Sequence, residues 1–379
     1  MSYFQKTGLL RFDQQFLAGG SFSNWLGLLK DHGGVDPRYW PRLAYVSAVA
    51  LLGAPVRAYE RMKFGPLIES TELHDPPIFI LGHWRSGTTY VQRLIAQNTE
   101  FAVVNFIHTM IPGLFLTGGL FKVILRASLP KTRPMDNVEI GPEFADEEEY
   151  ALGNLSPYSF YHALSFPRKM REIFDRYVLF EGVNDRVKSR WLSIYARYLK
   201  KIAFSTGGRR LLLKNPANTA RVRMLLELFP EAKFIHVYRN PFVVYSSTMH
   251  WLDKEMVPTA LQDVEEAVIR EAALTNYEKL MRKYLAERTL IHDGNLVEVR
   301  FEDVEADPLG QTLRIYRDLG LTMSDRTRTR LESYIASTAD YKKNRYHLSP
   351  EMVATIQERW GFAIRMWGYH PTCDGLTVR

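Results

Sequence analysis

Pro76-Pro77-Ile78-Phe79-Ile80-Leu81-Gly82-His83-Trp84-Arg85-Ser86-Gly87-Thr88-Thr89-Tyr90 is the stretch that decides the fold. The turn Asp75-Pro76-Pro77 gives way to four apolar residues in a row, the length and composition of a strand buried on both faces. From Ser86 to Gln97 the apolar positions Tyr90, Val91, Leu94 and Ile95 follow helical spacing. Between strand and helix, Gly82 and Gly87 keep the Gly-x4-Gly spacing of a phosphate-cradling loop, whose amides and following helix N-terminus hold anionic oxygens. Thr88 stands where a Walker lysine would, and the nearest cation is Arg85. A loop without that lysine is poorly equipped for a triphosphate, so the ligand it fits has no γ-phosphate. The competing reading is a pair of glycines that only shape a tight turn.

Working outward, the strand-and-helix alternation recurs. Arg210 to Lys214 reads as a strand, Thr219 to Phe229 as a helix, Lys233 to Tyr238 as a strand, and Leu296 to Phe301 as a fourth strand before the helix Pro308 to Leu319. Val264 to Leu285, Ser324 to Ala336 and Pro350 to Phe362 have helical patterns. Strands alternating with helices imply parallel pairing through right-handed crossovers. The expected fold is α/β, a P-loop-like three-layer arrangement with a central parallel sheet. A helical N-terminal extension over 1–75 precedes a main domain over 76–379, which carries a helical insertion at about 106–177.

Arg239 ends the strand Lys233 to Tyr238, where open parallel sheets place ligand-binding groups. There it could grip a phosphate by paired charge-assisted hydrogen bonds, with Ser247 adding a hydroxyl two helical turns on. An arginine at such a position is also a common ion-pair partner.

Composition sets the outer bounds. Hydrophobic residues at 46% and charged residues at 24% describe an ordinary globular chain and exclude a disordered one. The single cysteine, Cys373, excludes an intramolecular disulfide and a cysteine metal cluster, which fits a reducing compartment. A net charge of +7 favours anionic ligands, yet the basic residues are scattered and no nucleic acid partner is expected. The first thirty residues offer no continuous apolar run of a signal peptide, so the expected location is cytoplasmic, with membrane association left open. Leu43 to Val56 is too short to span a bilayer, and Ile107 to Leu129 is broken by Pro112, glycines, Lys122 and Arg126. Both are read as buried helices, the alternative being an apolar mouth that touches a membrane or admits a lipid-like acceptor.

The ordered set RSGTT after an apolar strand, FPEAKFIHVYRNP with Ser247 eight residues after Arg239, and VRFEDVEADPLGQTLRIYRDLGL resembles the nucleotide-dependent sulfotransferases, over roughly Pro76 to Tyr346. GHWRSGTT, LLKNPANTARVRMLLELFP and DEEEYALGNLSPYSFY resemble a bacterial branch of that family. The resemblance implies transfer of a sulfuryl group from 3′-phosphoadenosine 5′-phosphosulfate (PAPS) to a hydroxyl or amine, with release of 3′-phosphoadenosine 5′-phosphate (PAP) and no metal. It matches Arg85, Ser86, Gly87, Thr88 and Thr89 to the 5′-phosphosulfate loop and Tyr90 to an aromatic against the adenine. Arg239 and Ser247 match the 3′-phosphate pair. The run Lys342-Lys343-Asn344-Arg345 matches a basic loop over the same phosphate, though a solvated charge run explains it too.

Arg85 and Lys214, at the end of the RLLLK strand, are the expected stabilisers of charge on the leaving oxygen. Many relatives carry a histidine after the KNP phrase, whereas this chain has Asn218, which cannot serve as a base. The base is therefore sought in Glu149 or Glu147 of the cluster Asp146-Glu147-Glu148-Glu149, with His83 beside the loop assisting. If that segment is a helix, Glu149 shares a face with Ala145 and Leu152 and points inward; acidic residues also decorate helix N-termini for dipole reasons alone. His108, His162, His236 and His250 are read as structural. Aromatics in Ser156 to Pro167 suit a hydrophobic alcohol or a carbohydrate as acceptor. A homo-oligomer is left open. The rivals are a P-loop ATP-dependent kinase, which would need a loop lysine and a strand-ending aspartate for Mg²⁺, and a non-catalytic, membrane-associated nucleotide-binding protein.

Overall fold

The computed structural model describes residues 15–128, 141–338, 344–371 and 376–378. Lys342, Lys343, Cys373, Leu129 and the first fourteen residues lie outside them. The chain folds into two compact units, one of Met1–His74, Val104–Gly208 and Trp251–Ala272, the other of Asp75–Val103, Arg209–His250 and Ala273–Arg379.

The second unit is α/β. Its strands β1 (Ile78–Leu81), β2 (Phe101–Val103), β3 (Arg210–Lys214), β4 (Lys233–Tyr238) and β5 (Leu296–Arg300) form one sheet in the order β2-β3-β1-β4-β5, every pair parallel. The central strand β1 is buried throughout because helices cover both faces, which is why its sequence is apolar without alternation. Ile78, Ile80, Ile235, Val237, Val297 and Val299 point to one face, where Val91, Leu94 and Ile95 of the helix Thr88–Ile95 pack on them. Phe79 and Phe234 stack on the opposite face with ring centroids 5.6 Å apart. In register Ile80 faces Lys214, Leu81 faces His236 and Tyr238 faces Arg300, so β1, β3 and β4 end along one edge of the sheet. Ligands of open α/β sheets bind at that edge, where the strand order reverses.

Sequence and structure part company in four places here. The segment Thr219 to Phe229 is not one helix: a 3₁₀ turn Pro216–Ala220 and the helix Val222–Leu228 meet at Arg221. The Arg221 guanidinium is buried and donates to Asn218 Oδ1 at 3.1 Å, while Thr219 is committed elsewhere. The helix after the loop starts at Thr88 rather than Ser86, because Gly87 sits at φ 95°. Strand β2 has no counterpart in the sequence reading; nor has the small parallel pair β6 (Tyr346–Leu348) and β7 (Leu376–Val378).

The first unit is helical. Among the described residues no helix is long and apolar enough to cross a membrane. The apolar stretch 43–56 divides between the helices Trp40–Leu52 and Ala54–Glu69. The stretch 107–128 divides between Phe106–Met110 and Gly119–Ser128. The expectation that both stretches are buried fails for each: Leu51 and Leu52 are exposed in the first, and the helix Gly119–Ser128 is exposed in the second. Leu120, Val123 and Ile124 are all exposed, and just before that helix Glu60 Oε2 accepts the Thr117 N–H at 2.7 Å and the Thr117 hydroxyl at 2.9 Å.

Candidate active site

The loop after β1 is an anion cradle built from backbone. Gly82 has φ 142°, and a Cβ there would lie 2.4 Å from the Val237 carbonyl oxygen, so only glycine lets β1 turn this close to β4. The Thr219 hydroxyl fixes that turn by accepting the Gly82 N–H at 2.7 Å and donating to the Gly82 carbonyl at 3.1 Å. Arg85 follows in the left-handed region at φ 70°, where a side chain costs about 1 kcal/mol. Gly87 is left-handed as well, at φ 95°. Left-handed residues beside right-handed ones turn successive amides to one side, and the first turn of the helix Thr88–Ile95 adds N–H groups with no intrahelical acceptor. Within this cradle the Ser86 hydroxyl is buried and has no hydrogen-bond partner among the described residues. A buried hydroxyl left unsatisfied is costly, and a phosphate oxygen would satisfy it.

Beside the loop lie the groups from the end of β4 and the following helix Pro241–Thr259. Ser247 is buried and accepts from Arg85 Nε at 2.9 Å and from the Tyr346 hydroxyl at 3.0 Å, which leaves its own O–H to donate. The Arg239 guanidinium lies over the Phe301 ring, 4.4 Å from its centroid, and donates to the Arg85 carbonyl at 3.3 Å. Burial lowers the Arg239 pKa, partly offset by Glu302 and Glu305. It forms no ion pair with any described carboxylate. Glu302 instead accepts the Asn240 N–H at 3.0 Å and the Tyr369 hydroxyl at 2.7 Å. A half-buried cation without a counter-ion is a binding group for an anion.

Tyr90 is half-buried and meets Phe301 edge-to-face at 6.4 Å, packed against the apolar cluster of the sheet. Lys214 is buried at the last residue of β3, on the same sheet edge as the loop. Arg345 is exposed. His83 is buried, with Nδ1 2.7 Å from the Trp84 carbonyl. A carbonyl can only accept, so Nδ1 carries the proton and Nε2 the lone pair. Burial pulls the His83 pKa down to about 4, the Trp84 carbonyl opposing, so the imidazole is neutral at physiological pH and a weak base.

The acidic cluster belongs to the helical unit. The helix there runs Glu148–Leu155, so Glu149 and Leu152 lie on it but Ala145 does not; Ala145 bridges Asn105 instead. Glu149 is buried and its Oε1 accepts the Phe160 N–H at 2.8 Å, while its carbonyl accepts from Ser159 Oγ at 3.0 Å. Its carboxylate thus holds the turn that starts the aromatic segment. Asp146 is also occupied, accepting from Thr109 Oγ1 at 2.9 Å and from the Glu147 N–H at 2.8 Å. Glu147 is half-buried and accepts from the Tyr161 hydroxyl. Tyr161 packs 4.4 Å from Tyr150 and 6.3 Å from Trp251, giving this carboxylate aromatic neighbours.

His162 and His236 make fixed contacts, His162 Nε2 to the Gly153 carbonyl at 2.9 Å and His236 Nδ1 to Glu298 at 3.0 Å. The structure therefore gathers Arg85, Ser86, Gly87, Thr88, Thr89, Tyr90, Arg239 and Ser247 around one loop, with His83 and Lys214 in the same unit. Glu147 and Glu149 are in the other. Sequence reasoning missed Thr219, Phe301 and Tyr346.

The chain matches the model of the Sulfotransferase family over residues 76–325. It is 32% identical over 353 residues to the omega-hydroxy-beta-dihydromenaquinone-9 sulfotransferase Stf3 of Mycobacterium bovis and, equally, to that of Mycobacterium tuberculosis, covering 93% of this chain and 90% of each relative. Among solved structures it resembles the sulfotransferase STF1 of Mycobacterium tuberculosis, with a TM-score of 0.66 and 19% identity, over 93% of this chain and 94% of that one. It likewise resembles the sulfotransferase STF9 of Mycobacterium avium, with a TM-score of 0.67 and 18% identity, over 89% and 87% of the two chains.

Proposed function

The chain belongs to the sulfotransferase family, and from that premise we propose that it transfers the sulfuryl group of PAPS to the hydroxyl of a lipid-like alcohol. The observation that carries the donor reading is Arg239: a half-buried guanidinium with no ion pair among the described residues, next to a serine hydroxyl free to donate. That pair suits the 3′-phosphate that separates PAPS from ATP. The unsatisfied Ser86 hydroxyl, the left-handed turn and the helix N-terminus suit the 5′-phosphosulfate end. PAPS supplies a sulfuryl group whose transfer makes a bond from sulfur to the acceptor oxygen as the bond to the phosphate oxygen breaks.

In this reading Arg85 and Lys214 counter the charge that grows on the leaving oxygen. Glu147 takes the hydroxyl proton. Glu149 is the weaker choice, since it is fully buried and its Oε1 holds a backbone amide, whereas Glu147 is half-buried. His83 orients rather than removes a proton, because its pKa near 4 is far from a working range. The relatives' name, which states a hydroxylated menaquinone derivative, supports the lipid-like class of acceptor. A carbohydrate is the other class the aromatic segment suits.

Calorimetry with PAP, ATP-Mg²⁺ and adenosine 5′-phosphosulfate tests the donor. Tight binding of PAP alone is the expected result, and preference for ATP-Mg²⁺ would return the kinase reading. For the base, Glu147→Gln is expected to lower kcat by about a hundredfold or more with the melting temperature kept, since Gln still accepts from Tyr161. Glu149→Ala should instead cost roughly 1–3 kcal/mol of stability by stranding the Phe160 amide. If Glu149→Gln, which preserves that bond, abolishes turnover while Glu147→Gln does not, the base is Glu149.

A further inference from the structure

We propose that the helical unit docks on the surface of an anionic lipid bilayer through the helix Gly119–Ser128 and the neighbouring pair Trp40–Leu52 and Ala54–Glu69. Leu120, Val123 and Ile124 are 71%, 61% and 58% exposed, at the i, i+3, i+4 spacing of one helical stripe. Phe121 and Leu125 are only half-buried, so apolar side chains occupy most of the girth of the helix. The helical pair adds Leu52, 70% exposed at its tip, and Met62, 78% exposed, with Leu51, Tyr59 and Leu67 also exposed. The two faces are joined. Glu60 of the pair holds Thr117, two residues before Gly119, and Lys201 Nζ bonds both Glu60 and the Pro112 carbonyl.

Charge selects the occupant. From Trp40 to Ile68 the only carboxylate is Glu60, buried against Lys201, and from Phe106 to Arg126 there is none. Arg61 and Lys63 are exposed beside Met62, and Lys122 lies within the apolar turn of the other helix. Apolar side chains flanked by cations, with the nearest exposed acids, Glu69 at the end of the second helix and Glu143, paired to Arg197 and Arg126, are the chemistry of an interfacial helix on anionic headgroups. A second copy of the chain fits less well, because the cores of protein interfaces are depleted of lysine. Ten residues of helix span about 15 Å, half a hydrocarbon core, so the helix lies in the interface plane.

The inference does not depend on the sulfuryl-transfer reading, and vesicles free of donor and acceptor test it. The full chain is sedimented with vesicles of phosphatidylcholine, or of phosphatidylcholine mixed with phosphatidylglycerol. Wild-type chain should partition into the anionic vesicles in preference to the neutral ones. The combined variant Leu120→Ser, Val123→Ser, Ile124→Ser and the independent variant Leu52→Ser, Met62→Ser should each lower that partition by about tenfold or more, with unchanged thermal melting. Failure of the wild-type chain to bind, or equal binding by folded variants, would overturn the proposal. So would a dimer in vesicle-free solution that the triple variant dissociates, which would make these faces a contact between copies.

Discussion

Arg239→Ala should weaken PAP binding by about a hundredfold and leave the affinity for adenosine 5′-phosphate within about threefold, since a buried charge-assisted contact to a phosphate carries on the order of 2–5 kcal/mol. The selectivity follows from where the guanidinium sits, held flat over Phe301 and next to Ser247's partner Arg85. A second readout separates this role from that of an ion-pair arginine. Removing one member of a buried ion pair costs about 3–5 kcal/mol, because the other charge is stranded. Arg239 has no described carboxylate to strand, and its loss forfeits the contact with Phe301 and the long bond to the Arg85 carbonyl, together about 1–2 kcal/mol. The melting temperature of the unliganded variant should therefore change little. Arg239→Lys, which keeps the charge but loses the planar fork, should fall between the two in affinity. Equal loss of both nucleotides, or a large fall in stability without ligand, would end the assignment of this residue to the 3′-phosphate.

The part of the fold that positions this site was legible because burial writes itself plainly into short sequences. Ile78 to Leu81 is apolar on both faces, and a loop with glycines at both ends follows it directly. That combination forces strand, turn and helix in order. Arg239 and Ser247 could be read because each follows a recognisable strand at fixed spacing. Thr219, Phe301 and Tyr346 could not be. Their roles come from tertiary placement: a hydroxyl brought 2.7 Å from the Gly82 amide, a ring laid under a guanidinium, a phenol returning from β6 to Ser247. Nothing local distinguishes them from other threonines and aromatics of the chain.

Strand β2 escaped because three residues at a sheet edge leave almost no pattern. The two glutamates were inseparable for a different reason. Which of Glu147 and Glu149 carries a structural bond depends on where the helix begins, and helix starts are the least certain feature of a sequence reading. With the start at Glu148, Glu149 turns into the unit to meet the Phe160 amide, while Glu147 remains outside the helix beside Tyr161.

Gly87→Ala should be strongly damaging, and it should act on both ends of the nucleotide at once. A Cβ at Gly87 would lie 2.0 Å from Cδ2 and 2.3 Å from Cε2 of Phe301, at a backbone φ of 95° that already disfavours any side chain. Phe301 has nowhere to retreat, being buried in the apolar cluster with Ile80, Val237 and Val304. Displacing its ring also disturbs Arg239, which rests on it. The expected result is a stability loss of about 3 kcal/mol, from strain and overlap together, and a loss of PAP affinity of about tenfold or more. Unlike Arg239→Ala, the change should reduce adenosine 5′-phosphate binding in parallel, because it deforms the cradle itself.

Two controls isolate the cause. Gly207→Ala places a methyl at φ 72° with nothing within 4 Å, so it should show the backbone cost alone, about 1 kcal/mol. The double variant Gly87→Ala, Phe301→Ala should lose less stability than the sum of its two single changes, since the overlap exists only when both groups are present. Strict additivity would mean that Phe301 yields freely. Normal nucleotide binding by Gly87→Ala would mean that the backbone of this turn does not cradle the phosphate.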